Sequence, residues 1–413
     1  MRKCVLAGLA ASLSISFAAD RATLTGKVTD SSGKPIEDAT VMIYHAGVKK
    51  GFSTFCPSCY SDCGNRAATD AAGSFTIPKL DPDLRFELLV VRDGYAPTFV
   101  RKVDPSEGPA ETAVLAPLAP VDDPNRVALG RVVNANGRPL RDAIVFSKGV
   151  NTIMQGEPAS MYGNVKGLEP VAVTNPNGEF ELAYTKKASG ILVKVEARGM
   201  APKVIAIPTG GQRQTITVSD GAVIRGRLVD HGKPVAGTEI GLFPQVSGAF
   251  GGNLKIFGDP YEEVRIGTQE DGSFVIPNVP TPVNWYVYGK MESIAALGAT
   301  PPIECATKRD LEEVNVGDIQ IQPGHHVRGK VNLSDGASIS DGMRITINAS
   351  KGFDSQTVMI GRDGSFEFAS LAPGDYQIFT SVRGYDIPGD TLAQTVDHDI
   401  DNLAIVLNPK ARN

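Results

Sequence analysis

Three cysteines crowd into one short run, Phe55-Cys56-Pro57-Ser58-Cys59-Tyr60-Ser61-Asp62-Cys63-Gly64. Thiols at this spacing can do three things: bridge to one another, ligate a metal as thiolates, or exchange with an outside disulfide. The Cys-x-x-Cys of Cys56 and Cys59 has zinc-ligand spacing, and Cys63 with His45 would complete a tetrahedral set. The second ligand pair usual in a zinc module is missing, and no histidine follows Cys59, so the c-type haem motif is excluded. Met1-Arg2-Lys3, an apolar stretch from Cys4 to Phe17 and then Ala18-Ala19-Asp20 read as a cleaved secretory leader ending near Ala19. Cys4 comes too early for a lipoprotein site. After cleavage Cys56, Cys59, Cys63 and Cys305 remain, an even number in an exported chain, which favours disulfides over metal or thiol exchange. The expected bridge staples the run to itself as Cys56–Cys63 or Cys59–Cys63, in preference to the tight Cys56–Cys59 ring. The third thiol is then free or paired with Cys305.

Other chemistry is hard to find. None of His45, His231, His325, His326 and His398 has a glutamate three residues on, and there is no His-Glu-x-x-His, Gly-x-Ser-x-Gly, phosphate loop or Gly-x-Gly-x-x-Gly. No catalytic set and no cofactor is expected. Asp30, Asp70, Asp271, Asp335 and Asp363 stand beside glycines, as turn formers do, without the spacing of a calcium loop. A net charge of −5 with both signs scattered leaves no basic stripe, so nucleic acid is not an expected partner. No segment after the leader approaches the roughly 20 apolar residues of a membrane span.

Aromatic residues offer a different lead. Three long insertions, near residues 44–68, 149–171 and 244–266, carry Phe55, Tyr60, Tyr162, Phe257 and Tyr261 among glycine, serine and asparagine. Such loops on a rigid scaffold suit gripping a protein or stacking on sugars, or they simply anchor each loop to its own scaffold. Tyr286 and Tyr288 alternate onto one strand face, opposite Trp285 and Val287, and would form a sugar platform if that face is open.

The elements that must position these residues repeat four times. Gly26-Lys27-Val28-Thr29-Asp30 with Gly33-Lys34-Pro35-Ile36 returns as Gly130-Arg131-Val132-Val133-Asn134 with Gly137-Arg138-Pro139-Leu140. It returns again as Gly226-Arg227-Leu228-Val229-Asp230 with Gly232-Lys233-Pro234-Val235, and in worn form from Gly329-Lys330-Val331. Each copy has a second half: Thr69-Asp70-Ala71-Ala72-Gly73-Ser74-Phe75, Thr174 to Phe180, Thr268 to Phe274, and Arg362-Asp363-Gly364-Ser365-Phe366. An Asx and glycine turn feeding a period-two apolar run is a strand signal, and no long helical period follows the leader. Copies recur about every 100 residues, the size of a domain with its own core. That spacing predicts beads on a string rather than a stacked array.

The pattern Gly-x-Val-x-Asp-x-x-Gly-x-Pro, followed by Thr-Asp-x-x-Gly-x-Phe, resembles the carboxypeptidase regulatory-like domain. The resemblance implies an all-β chain of four tandem small antiparallel β-sandwiches, transthyretin-like or immunoglobulin-like, without the peptidase. The expected units are the leader at 1–19 and sandwiches at 20–120, with the cysteine insertion, then 121–219, 220–323 and 324–413. The expected role is non-catalytic: protein interaction or spacing, secreted or periplasmic. The partner would be an unidentified protein or polysaccharide of the cell surface. Carbohydrate binding, through the family's starch-binding-like kinship, and a metal- or thiol-dependent activity at the cysteine run are the alternatives.

Overall fold

The structure is a computed structural model that describes residues 21–118, 120–154, 156–245, 263–352, 354–389 and 391–410. The expected leader lies outside them. The regular structure of the described chain is almost entirely strand, folded into four β-sandwiches. In the first, Ala22–Asp30 lies between Ser74–Leu80 and Ala113–Leu115, and this sheet faces a second ordered Arg66–Ala68, Thr40–Val48, Leu84–Val91, Thr98–Val103. The pairing is antiparallel except that the first strand runs parallel to the last, Ala113–Leu115. The same parallel closure joins Val127–Val133 to Gln214–Thr217, Ala222–Asp230 to Glu313–Ile321 and His325–Leu333 to Ile400–Pro409. Closing a long chain on its own first strand explains why each copy needs so many residues before the next begins.

The repeated residues are the ones this closure needs. Beneath the Phe75 ring the Ala22–Asp30 strand passes at Gly26, where a Cβ would stand 2.5 Å from a ring carbon. Gly130 under Phe180, Gly226 under Phe274 and Gly329 under Phe366 repeat the arrangement at 2.2, 2.7 and 2.7 Å. Only a residue without a side chain lets the ring lie flat on the strand and reach the core. The Asx residues cap turns. Asp30 accepts from the N–H of Ser32 and Lys34 at 2.8 and 3.0 Å, and Asn134 from those of Asn136 and Arg138 at 3.0 Å each. Asp70 and Asn175 do the same at the second turn of their sandwiches.

A buried threonine ties the two halves of the motif together. The Thr69 hydroxyl donates to the Ile36 carbonyl at 2.6 Å and accepts from the Ala39 N–H at 2.9 Å. Thr174 repeats both bonds with Leu140 and Ala143, and Thr268 bonds Thr238. The fourth copy has buried Ile360 at this position, which makes no such tie.

The expectation of separate beads is corrected by the packing between the first two sandwiches. Val41 and Ile43 point into the first core, while Met42 and Leu89 point out and meet Ile144 and Val171 of the second sandwich. Tyr44, Phe99 and Phe146 flank this apolar seam, with the Phe99 and Phe146 rings stacked at 6.1 Å. At this seam the central strands of the four-stranded sheet of the first sandwich and of the five-stranded sheet of the second are therefore covered on both faces. Unbroken apolar runs are what such strands need, and Val41-Met42-Ile43 and Leu88-Leu89-Val90-Val91 carry that signal.

Candidate functional site

The cysteine insertion leaves the first sandwich at the end of Thr40–Val48 and is folded back on it. The Ala46 N–H donates to Pro57 O at 2.9 Å, Gly64 N–H to Ile43 O at 2.8 Å, and Cys63 N–H to Tyr60 O at 3.1 Å. Asp62 is buried: its carboxylate accepts from the Asp81 N–H at 2.8 Å and from Arg21 at 3.3 Å. Tyr60 packs on the first core, its hydroxyl bonded to Ser53 and its ring edge-on to Phe55 at 5.6 Å. Phe55 itself is 59% exposed.

The disulfide is Cys56–Cys59, with Cα atoms 5.1 Å apart, which corrects the expected pairing through Cys63. The tight turn that carries the Cys59 N–H to Cys56 O at 2.9 Å brings the two residues together. Cys63 instead turns inward and donates its thiol to Pro57 O at 3.3 Å. Burial pushes the Cys63 thiol up to about 11, and burial does the same to Cys305. Both are free, so the third thiol does not pair with Cys305. The metal set of Cys56, Cys59, Cys63 and His45 is likewise overturned, because two of its sulfurs are bonded to each other. His45 stacks on Tyr44 at 3.9 Å and pairs with Glu87 at 3.3 Å. Burial alone would raise Glu87, but His45 and Arg101 hold it below the usual carboxylate range.

The insertion also touches two other sandwiches. Ser53 O accepts from the Gly267 N–H of the third at 2.6 Å, and Tyr60 O from Arg198 of the second at 3.4 Å. Arg66 of the first pairs with Asp142 of the second at 2.8 Å, and Tyr44 bonds Glu196. Asn278 of the third donates to Gly199 O and Asp220 O at 2.9 and 3.0 Å. Where the three sandwiches meet they enclose a cleft of about 350 Å³, lined in part by Cys56, Arg198, Met42, Met200, Leu242 and Pro280. No sequence signal marked Arg198 or the cleft, because the residues come from three copies and only the packing assembles them.

Tyr162, Tyr286 and Tyr288 do not join this cluster. Tyr162 is half-buried at the end of Glu157–Tyr162, a strand that forms a hairpin with Ile144–Met154 and extends the second sandwich. Phe257 and Tyr261 lie outside the described residues. The Tyr286 and Tyr288 platform is corrected: Trp285 and Val287 are core, but Tyr288 is also buried, at 1% exposure, and only Tyr286 is half-exposed. The Tyr288 hydroxyl donates to Glu263 at 2.6 Å beside a buried charge cluster at the fourth sandwich. There the Lys290 ammonium lies 2.8 Å from Glu263 and 2.7 Å from Asp354, whose other oxygen accepts from the Met291 N–H at 2.9 Å. Burial raises Asp354 against the pull of Lys290.

Residues 23–116 match the family model of the carboxypeptidase regulatory-like domain. The first sandwich is thus similar to the carboxypeptidase regulatory-like domain. Residues 323–407 match a second model, described as the BOS complex subunit NOMO1-like, second beta sandwich domain. Neither model is a peptidase catalytic domain. No curated protein matches the chain. Among solved structures, the chain is similar to the Bacillus anthracis TIE protein at 11% identity, covering 93% of this chain and 73% of that one, with a TM-score of 0.20. A streptococcal ancillary pilin shares 14% identity over 69% of this chain and 100% of its own, at a TM-score of 0.22. The minor pilin GBS52 of Streptococcus agalactiae shares 12% over 46% and 98%, at 0.24. Among the described residues no helix is long and apolar enough to cross a membrane.

Proposed function

We infer that the chain is a non-catalytic exported protein whose sandwiches act as a fixed spacer and protein-interaction scaffold at the cell surface or in the periplasm. The observation that carries this reading is the apolar seam of Met42, Leu89, Ile144 and Val171, reinforced by the cysteine insertion on the third sandwich. Apolar contact across a broad sheet face fixes domain orientation, whereas polar linkers leave domains free to move. A scaffold that sets distance needs that fixity, and an enzyme would need a convergent reactive set. The two free thiols are held as thiols by burial, which favours the structural reading over thiol chemistry. The buried Tyr288 ring removes the main support for a sugar platform. Small-angle scattering of the mature chain tests the spacer reading. One rigid particle, with a profile unchanged between low and high salt, is expected; a flexible ensemble of four independent sandwiches would overturn it.

A further inference from the structure

The cleft between the first three sandwiches has an uneven charge balance. Of its charged lining, Asp142 is held by Arg66 at 2.8 Å and by Arg141 at 3.4 Å, and Glu196 by Lys194 at 2.7 Å and by Tyr44. His45 is taken by Glu87 at 3.3 Å. Arg198 is exposed and has no carboxylate partner among the described residues; its contact is the Tyr60 carbonyl, at 3.4 Å. The guanidinium is nonetheless placed. It lies against Gly64, where a Cβ would stand 2.6 Å from Nη1, and Gly64 adopts a φ of +91° that disfavours any side chain. The insertion thus leaves open the space that the arginine fills. Around it the walls are apolar, from Met42, Met200, Leu242, Val264, Pro277 and Pro280.

We propose that this cleft binds a monocarboxylate carried on an apolar body, with the carboxylate on Arg198 and the body among Met42, Met200, Val264 and the prolines. The volume, about 350 Å³, falls in the range of small-ligand sites, which favour domain junctions and combine apolar walls with a few polar groups. A guanidinium presents a planar fork that matches a carboxylate in two parallel hydrogen bonds. One unpaired cation calls for one negative charge. The chemistry is met by a free aliphatic acid or by the C-terminus of an apolar peptide, and it holds whether or not the chain is a spacer.

Calorimetric titration of the full mature chain separates the outcomes. The probes are octanoate against octanamide, and N-acetylated Leu-Leu-Leu with a free against an amidated C-terminus. In at least one pair the acid should bind about tenfold or more tightly than its amide, with affinity falling as salt rises. Arg198→Gln, at an exposed position, should lose a similar factor while keeping the thermal midpoint and the Cys56–Cys59 bridge. Preference for octanoate identifies a free acid, and preference for the peptide identifies a protein C-terminus. Equal binding of acid and amide, no binding by either pair, or an Arg198→Gln chain that binds as before would overturn the proposal.

Discussion

Gly130 lies so close beneath the Phe180 ring that an alanine Cβ would stand 2.2 Å from two ring carbons. The ring is core and the strand is pinned on both sides, so neither can withdraw cheaply. Gly130→Ala should therefore cost about 1–3 kcal/mol, read as a lower urea midpoint, the range expected for overpacking. Adding Phe180→Leu should recover part of the loss, because the smaller side chain vacates the space. Full additivity of the two changes would show that the pair is not coupled. Thiol chemistry is decided at the same scale. Burial lifts Cys63 and Cys305 to about 11, so little thiolate exists in the folded protein near pH 8. Native alkylation followed by mass spectrometry should leave both unlabelled, and denaturant without reductant should add two labels and leave the Cys56–Cys59 bridge intact. Cys63 is buried and Cys305 half-buried, so rapid native labelling of Cys63 would mean that its thiol is not buried as described.

At the scale of elements, the contact between the third and fourth sandwiches rests on a lysine shared by two buried carboxylates. The sign of its pH dependence follows from Asp354, which burial raises above its ordinary 3.8 when the sandwiches dock. A raised acid favours the docked state fully below the ordinary value and loses that advantage as pH rises through the raised one. Docking should thus tighten as pH falls from neutral, by up to about tenfold per unit of raised pKa. Fluorescence transfer between labels on the two sandwiches would follow it. Asp354→Asn, which imitates the protonated acid, should flatten the response; an unchanged response would assign it elsewhere. Lys290→Met should be costly, about 3–5 kcal/mol, because it strands both acids. None of this was legible in the sequence, where Lys290 and Asp354 are ordinary charged residues far apart. The strands were legible because turn glycines, Asx caps and Phe positions act within a few residues of one another. The disulfide was half legible: the run named the cysteines, but the turn at Pro57 and Ser58 chose the partners.

Across the whole molecule, the reading of beads failed for a specific reason. Met42 and Leu89 stand inside unbroken apolar runs, and a period of two sends them to the opposite face from Val41 and Leu88. Followed through, that alternation would have demanded a second partner for the sheet. Leu89→Asn should break the seam while leaving each sandwich folded. The expected readout is a larger radius of gyration with unchanged strand content by circular dichroism. A chain that keeps its size would mean that the seam does not hold the first two sandwiches together.

The same seam bears on how the chain can be divided. A fragment cut after the first sandwich would leave Met42, Leu89, Tyr44 and Phe99 on a bare sheet face, and one beginning at the second would bare Ile144, Val171 and Phe146. Either piece would be expected to self-associate or precipitate, while a fragment carrying the first two together keeps that surface covered. For expression and for natural proteolysis alike, the smallest soluble unit at this end is a pair. A protease working on the folded chain should release the two as one stable product.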